Sequence, residues 1–357
     1  MPIPQASPAQ DPLSQLFSLA VKKGASDILI TAGSPPMIRI AGDLHPASQR
    51  PLAGDETKRW CYAVLAADQI ARFEREKELD FSFDYQGELR FRGNLYLQRG
   101  NVAAAFRLIA TRIPSLEQLN LPPVLRDFAL RPQGLIIVTG PTGHGKSTTQ
   151  ASMVDIINHE RKCHIITIED PIEFLHQNHL SVVDQREVGE DTFSFAGALK
   201  HVLRQNPDVI LVGEMRDAET MGTALTAAET GHLVLATLHT NDAVQAVDRI
   251  VDTFPAHQQG QVRTQLAFSL LVVLSQRLLP KADASGLQVA MEIMVNTPAT
   301  SHLIRDGKAH QLYSVMETSG KEGMVTMDHV LKKMALAGTI TFEEAKKRMR
   351  NPAILTK

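Results

Sequence analysis

Cysteine is nearly absent: Cys61 and Cys163 are the only thiols in 357 residues. Two thiols give no disulfide framework, and a reduced compartment fits. Long apolar runs are missing too. No stretch reaches the ~18 consecutive apolar residues of a membrane-spanning helix. The greasiest, residues 266–274, runs on through Ser275, Gln276 and Arg277 and reads as a buried helix. The opening MPIPQASPAQDPLSQLF has no Lys or Arg and no apolar core, so it does not read as a secretory signal. An excess of one charge is also lacking. Lys plus Arg is 37 against 39 Asp plus Glu, a net charge of −2. That balance argues against a surface built wholly for nucleic acid, while leaving room for a local basic groove.

What remains is a chain with 43% hydrophobic residues, enough to bury a sizeable core in two or three domains. Residues 1–11 are rich in Pro, Gln, Ala and Ser and read as disordered. Residues 12–109 read as a small α+β domain. A helix is expected over 12–23, with strands at 27–31, 37–40, 79–85, 89–98 and 102–109 and one or two helices over 55–77. Residues 110–133 read as a linker punctuated by Pro114, Pro122 and Pro123, where Ser115 and Gln118 have capping-box spacing. From 134 to 287 continuous apolar strands (135–139, 165–168, 209–212, 233–237) alternate with helices. That pattern predicts a parallel sheet covered on both faces. Residues 288–357 return to helical spacing, with Thr341 and Glu344 placed to cap the last helix.

The strongest local signal is Gly140-Pro141-Thr142-Gly143-His144-Gly145-Lys146-Ser147, followed by Thr148. It joins the apolar strand LIIVT to a helix-compatible stretch. Glycines let backbone N–H groups curl around phosphates, and the helix N-terminus adds its dipole. In such a loop the lysine, here Lys146, reaches the β- and γ-phosphates, and the serine, Ser147, ligates Mg²⁺. His144 reads as a tolerated, exposed filler. Two further apolar strands end in acids. DVILVGE places Glu214 where a carboxylate would hold metal or water; the competing reading is a helix cap beside Arg216 and Asp217. HIITIEDPIEF gathers Glu169, Asp170 and Glu173. Glu173, beyond the proline turn, suits the γ-phosphate. Glu169 and Asp170 suit Mg²⁺ or structural partners.

Taken together, GPTGHGKSTT, HIITIEDPIEF, LRQNPDVILVGEMRDAET and TGHLVLATLHTNDA resemble the Walker A, aspartate, Walker B and histidine boxes of the PilT-like secretion ATPases. The resemblance extends over about nine-tenths of the chain. Stretches such as ELDFSFDYQGELRFRGNLYLQRG and IVDTFPAHQQGQVRTQLA are similar to the pilus-retraction branch. The resemblance implies a PAS-like α+β N-terminal domain followed by a RecA-like ATPase domain with C-terminal helices. It implies ATP and Mg²⁺ as cofactors, Glu173 as general base and Glu214 as the Walker B acid acting on metal through water. Glu169 stands as a further metal candidate, and Thr148 joins the phosphate-binding residues. It implies that His232 and His239 sense the γ-phosphate or couple the site to a subunit boundary. It implies that Arg90, Arg92 and Arg107 face the nucleotide, with Arg186 and Arg204 as lesser candidates. Leu303, Ile304 and Arg305 keep the centre of a C-terminal motif tied to pulling.

The implied partners are five more copies in a homohexamer and an inner-membrane pilus platform protein, with a paralogous retraction ATPase as a further one. No nucleic acid is expected. The implied place is cytoplasmic, peripheral to the inner membrane at the pilus base. The chain has no Cys beyond Cys163, which excludes the four-thiolate zinc site that the resemblance attaches to assembly ATPases. Three alternatives stay open: an accessory PilU-like paralogue, a non-hydrolysing ATP-binding subunit, and a RecA-type nucleic-acid motor.

Overall fold

The computed structural model describes residues 12–40, 42–85, 89–109 and 112–356. The segment expected to be disordered, residues 1–11, lies outside them. The chain divides into two compact units, residues 1–111 and 112–357.

The first unit contains α1 (Pro12–Lys22), β1 (Asp27–Ile30), β2 (Met37–Ile40), β3 (Asp43–Pro46), α2 (Gly54–Tyr62), α3 (Ala67–Glu76), β4 (Glu78–Tyr85), β5 (Leu89–Gln98) and β6 (Asn101–Ile109). Its six strands form an antiparallel sheet in the order β3-β2-β1-β6-β5-β4. Leu13, Leu16, Phe17 and Ala20 repeat at helical spacing and bury one face of α1. Phe17 stacks on Phe91 at 4.5 Å between centroids and meets Phe106 edge-on at 5.5 Å. These aromatic pairs anchor the unit's core. Gly93 is required there, because a Cβ would lie 2.5 Å from the Phe81 ring.

The second unit opens with α4 (Val124–Ala129) and β7 (Gly134–Thr139). It continues with α5 (Lys146–Glu160), β8 (His164–Glu169), β9 (Val182–Glu187), α6 (Phe195–Val202), β10 (Val209–Val212), α7 (Ala218–Glu229) and β11 (Leu233–Thr237). Helices α8 (Ala243–Asp252) and α9 (Ala256–Ser269) lead into β12 (Leu270–Pro280) and β13 (Leu287–Val295). Four helices close the chain: α10 (Pro298–Arg305), α11 (Leu312–Thr318), α12 (Met327–Leu336) and α13 (Phe342–Arg348). The sheet order is β13-β12-β7-β11-β10-β8-β9, parallel throughout except for β13. Every residue of β7 is buried. Leu135 and Ile137 enter the core on one face, Ile136 and Val138 the core on the other. Burial on both faces explains why this strand is continuously apolar instead of alternating.

Four expectations change here. Residues 112–133 are part of the second unit's packing, where Leu116, Leu121, Leu125 and Phe128 join its core. Ser115 and Gln118 do exchange backbone-to-side-chain hydrogen bonds, but they close a turn and not a helix. The greasy run 266–274 is split: α9 ends at Ser269 and β12 begins at Leu270. The helical reading of residues 288–357 also fails at its start, since β13 occupies Leu287–Val295. Both errors share one cause. A short, doubly buried run has no periodicity to separate strand from helix.

Candidate active site

Thr139 ends β7, and the chain turns sharply into the loop that becomes α5. Gly140 has φ +140°, and a Cβ there would lie 2.2 Å from the carbonyl oxygen of Gln276 on β12. Gly145 has φ +80° and would bring a Cβ within 2.9 Å of the Gln276 side-chain nitrogen. Both positions therefore favour glycine for backbone conformation, and Gly140 also for space. Lys146 folds back into the loop, and its Nζ donates to the carbonyls of Gly140 and Pro141 at 2.8 and 2.9 Å. Burial pushes its ammonium below the ordinary lysine range, while the charges of Glu214 and Glu173 pull it back up.

The loop borders a cavity of about 430 Å³, also lined by Glu169, Glu173, Glu214 and His239. It opens at the carboxyl ends of the parallel strands, where open α/β sheets bind ligands. Ser147 and Thr148 face it from the first turn of α5. Glu214 follows β10. Its Oε1 accepts from Arg216 Nε at 2.6 Å and lies 2.9 Å from His239 Nε2. Burial alone would raise this carboxyl; Arg216 and His239 outweigh it and hold it below the ordinary carboxylate range. The helix-cap reading of Glu214 is excluded, because Asp217 caps α7 through the Thr220 amide. His239 spans further, with Nδ1 3.4 Å from the Thr142 hydroxyl, so it joins the phosphate loop to Glu214.

The acidic turn after β8 separates its carboxylates. The Oε1 of Glu169 accepts from the Thr167 hydroxyl at 2.6 Å and the Gln185 amide at 3.1 Å. Removal from water pushes its carboxyl up to about 7 against the pull of these bonds. Both donors tie the Oε1 of Glu169 to the turn, while the residue also lines the cavity. Glu173 is exposed and lines the cavity. Gln185 latches the same turn at three points, because it also donates to the Phe174 carbonyl and accepts from the His176 amide.

The two histidines part company. His239 lies in the cavity. His232 precedes β11 at the strand's opposite end, and its Nδ1 meets the Ala227 carbonyl at 3.0 Å. A five-residue strand separates them, roughly 17 Å of rise, so the structure does not bring His232 to this cavity. His144 departs from its expectation as an exposed filler. It is half-buried, and its Nδ1 accepts the Leu278 amide of β12 at 2.9 Å. In the first unit Arg92, Arg107, Asp27 and Arg39 are successive cross-strand partners on β5, β6, β1 and β2. Asp27 accepts from Arg107 Nε at 2.8 Å, leaving this row with three cations and one anion. Arg90 stands two residues before Arg92 on β5. Arg186 is on β9 and donates to the Asp191 carbonyl; Arg204 follows α6.

Some site residues escaped the sequence reading. Thr237 donates to the Gly213 carbonyl and accepts the Met215 amide, which fixes the loop carrying Glu214. Gln276 accepts from Thr149 at 2.7 Å and donates to the His144 carbonyl at 2.8 Å. His176 lines the cavity with a buried Nδ1 that has no hydrogen-bond partner among the described residues, and burial pushes its imidazole down to about 4. Thr237 closes an apolar strand and was findable from that position. Gln276 and His176 carry no local signal, because their roles come from distant segments.

The family described as type II/IV secretion system protein matches residues 5–334. The "Type IV pilus retractation ATPase PilT" of Pseudomonas aeruginosa is 45% identical over 340 residues, covering 95% of this chain and 98% of the relative. The "Type IV pilus ATPase PilU" of the same organism is 44% identical over 331 residues, covering 93% and 87%. The crystal structure of the pilus retraction motor PilT with bound ADP superposes with a TM-score of 0.91 at 47% identity, covering 97% of this chain and 99% of the other.

Proposed function

The chain belongs to the type II/IV secretion system protein family, and on that premise we propose that it is an ATP-hydrolysing motor for type IV pilus retraction. The observation that carries the reading is the meeting of Lys146, Ser147, Glu173, Glu214 and His239 around one cavity at the carboxyl ends of β7, β8, β10 and β11. Lys146 holds the β- and γ-phosphates, assisted by the N–H groups of the loop from Gly140 to Thr148, Pro141 apart. Glu173 takes the proton of the attacking water. His239 reports the γ-phosphate to Glu214 through the bonds already described.

Mg²⁺ fits the donors present: Ser147 supplies a hydroxyl and Glu214 an ionised carboxylate on the wall of the same cavity of about 430 Å³. When bound, it would neutralise charge on the β- and γ-phosphates. Arginines of the first unit, Arg90, Arg92 and Arg107, stabilise transition-state charge in a homohexamer. There, closure and opening of the nucleotide clefts would pull on an inner-membrane platform protein from the cytoplasmic side.

The superposition on the pilus retraction motor, at a TM-score of 0.91 and 47% identity, favours a main motor over an accessory paralogue. Glu173 and Glu214 both face the cavity, which speaks against a non-hydrolysing subunit. The net charge of −2 speaks against a nucleic-acid motor. No helix among the described residues is long and apolar enough to cross a membrane. Two measurements test the proposal. Purified chain should release phosphate from ATP without stimulation by single-stranded DNA, and deleting its gene should leave pili that extend but do not retract. Absent turnover would leave the regulatory reading; normal retraction would remove the motor role.

A further inference from the structure

β12 outruns its neighbour. Its pairing with β7 ends at Ser275 opposite Thr139, where β7 leaves the sheet as the phosphate loop. β12 itself continues to Pro280, paired only with β13 on its other side. The Leu278 amide therefore loses the acceptor that a longer β7 would have supplied. The His144 imidazole fills the place, 2.9 Å away. A backbone N–H can only donate, so Nδ1 must be the acceptor and the proton of the neutral ring must be on Nε2. Three residues of the loop and the first turn of α5 are thus tied to β12: Thr149 and the His144 carbonyl through Gln276, the His144 ring through Leu278, and Gly140 by close backbone approach.

We propose that His144 is a positioning residue for the nucleotide loop, its Nδ1 serving as a latch that holds the loop's crown in phosphate-binding shape against β12. This rests on the nucleotide reading above. The latch works only while the ring is neutral, because a proton on Nδ1 would face the Leu278 N–H, donor against donor. The surroundings favour the neutral state. Burial lowers the imidazole's affinity for protons, and the charges facing it are all cationic: Arg348 of α13, Lys146 of α5 and Arg277 of β12. Arg348 is itself held by Glu344 at 3.0 Å. The next residue along β12, Leu279, is fully buried among Leu331, Ala335, Ile340 and Ala345. The latch thereby ties the loop to a strand rooted in the C-terminal helices α12 and α13.

The test measures Mg-ADP affinity by calorimetry for wild-type chain, H144A and H144N, at about pH 8 and about pH 4.5, the lower value set well under the ordinary imidazole value near 6.5 because burial and the cationic neighbours lower this one. At the higher pH, H144A should bind a few-fold to about tenfold more weakly, the span of one net hydrogen bond. H144N should recover most of that loss, because its Oδ1 falls where Nδ1 does. On acidification the wild type should lose the same factor relative to H144N, which does not titrate and so cancels changes in the nucleotide's own charge. The latch is overturned if wild type and H144A bind equally, or if wild type and H144N keep a constant ratio across pH. Should H144A fail to fold, the second comparison decides alone. A wild-type chain that binds no ADP at either pH would instead sink the nucleotide reading, and is told apart from a failed latch by that result.

Discussion

Glu169, Glu173 and Glu214 line one cavity, yet their neighbours give them different capacities. Glu169 spends its Oε1 on Thr167 and Gln185. Glu214 spends its Oε1 on Arg216 and His239. Glu173 is the exposed member, the one positioned to meet water. Replacing it with Gln should keep ADP binding and lower the steady-state rate of phosphate release about 10²–10⁴-fold, the usual contribution of a placed base. A rate near wild type would move the base to Glu169. Substituting Thr237 by Val tests the support beneath Glu214. It removes the hydroxyl that donates to the Gly213 carbonyl while keeping the volume. Turnover should fall while the unfolding midpoint moves by only a few degrees, since a single net hydrogen bond is about 1 kcal/mol.

Among the elements, β13 carries the least expected residue. Glu292 is 2% exposed, and its two oxygens accept the Ala243 and Met327 amides at 2.8 and 3.0 Å. One carboxylate thus caps the first residues of α8 and α12 together. Glu292→Gln leaves one amide facing an NH₂ group. The expected loss of stability is about 1–3 kcal/mol by denaturant titration, the cost of a buried donor without a partner. On α10, Ile304 is buried and Leu303 partly so, while Arg305 is exposed beside His302. Arg305→Ala should leave ATP turnover within a factor of about two, because surface charges contribute little to stability. It should weaken retraction in cells, which direct imaging of pili would score; loss of both would place Arg305 in the catalytic or assembly machinery.

The same scale shows what the residues disclosed beforehand. Strands 209–212 and 233–237 agree with the structure end to end, because apolar runs bounded by Asp208, Gly213 and His232 and closed by Thr237 leave little choice. The loop from Gly140 to Ser147 was legible because its chemistry is local. β3, β9, β12 and β13 were not. β3 is exposed at all four positions, and β9 reads VVDQRE, with too little apolar content to declare itself. The latch through His144 and the brace through Gln276 depend on partners 127 to 134 positions away, which no window of sequence contains.

For the whole molecule, a cleft completed by a neighbour's arginines predicts ATPase activity per subunit that rises with protein concentration. Sedimentation should then find a hexamer where activity is highest, and a fully active monomer would contradict the ring. The strand order has a separate consequence for synthesis. β7 leaves the ribosome first among the second unit's strands, yet both its neighbours, β11 and β12, arrive roughly 100 to 130 residues later. The first unit's meander of β4, β5 and β6 pairs between adjacent strands and can settle while the rest is still being made. A nascent chain stalled before Leu270 should therefore yield a protease-resistant amino-terminal fragment while retaining no ADP. The phosphate cradle, encoded near the middle of the message, becomes usable only once the ribosome has passed β12.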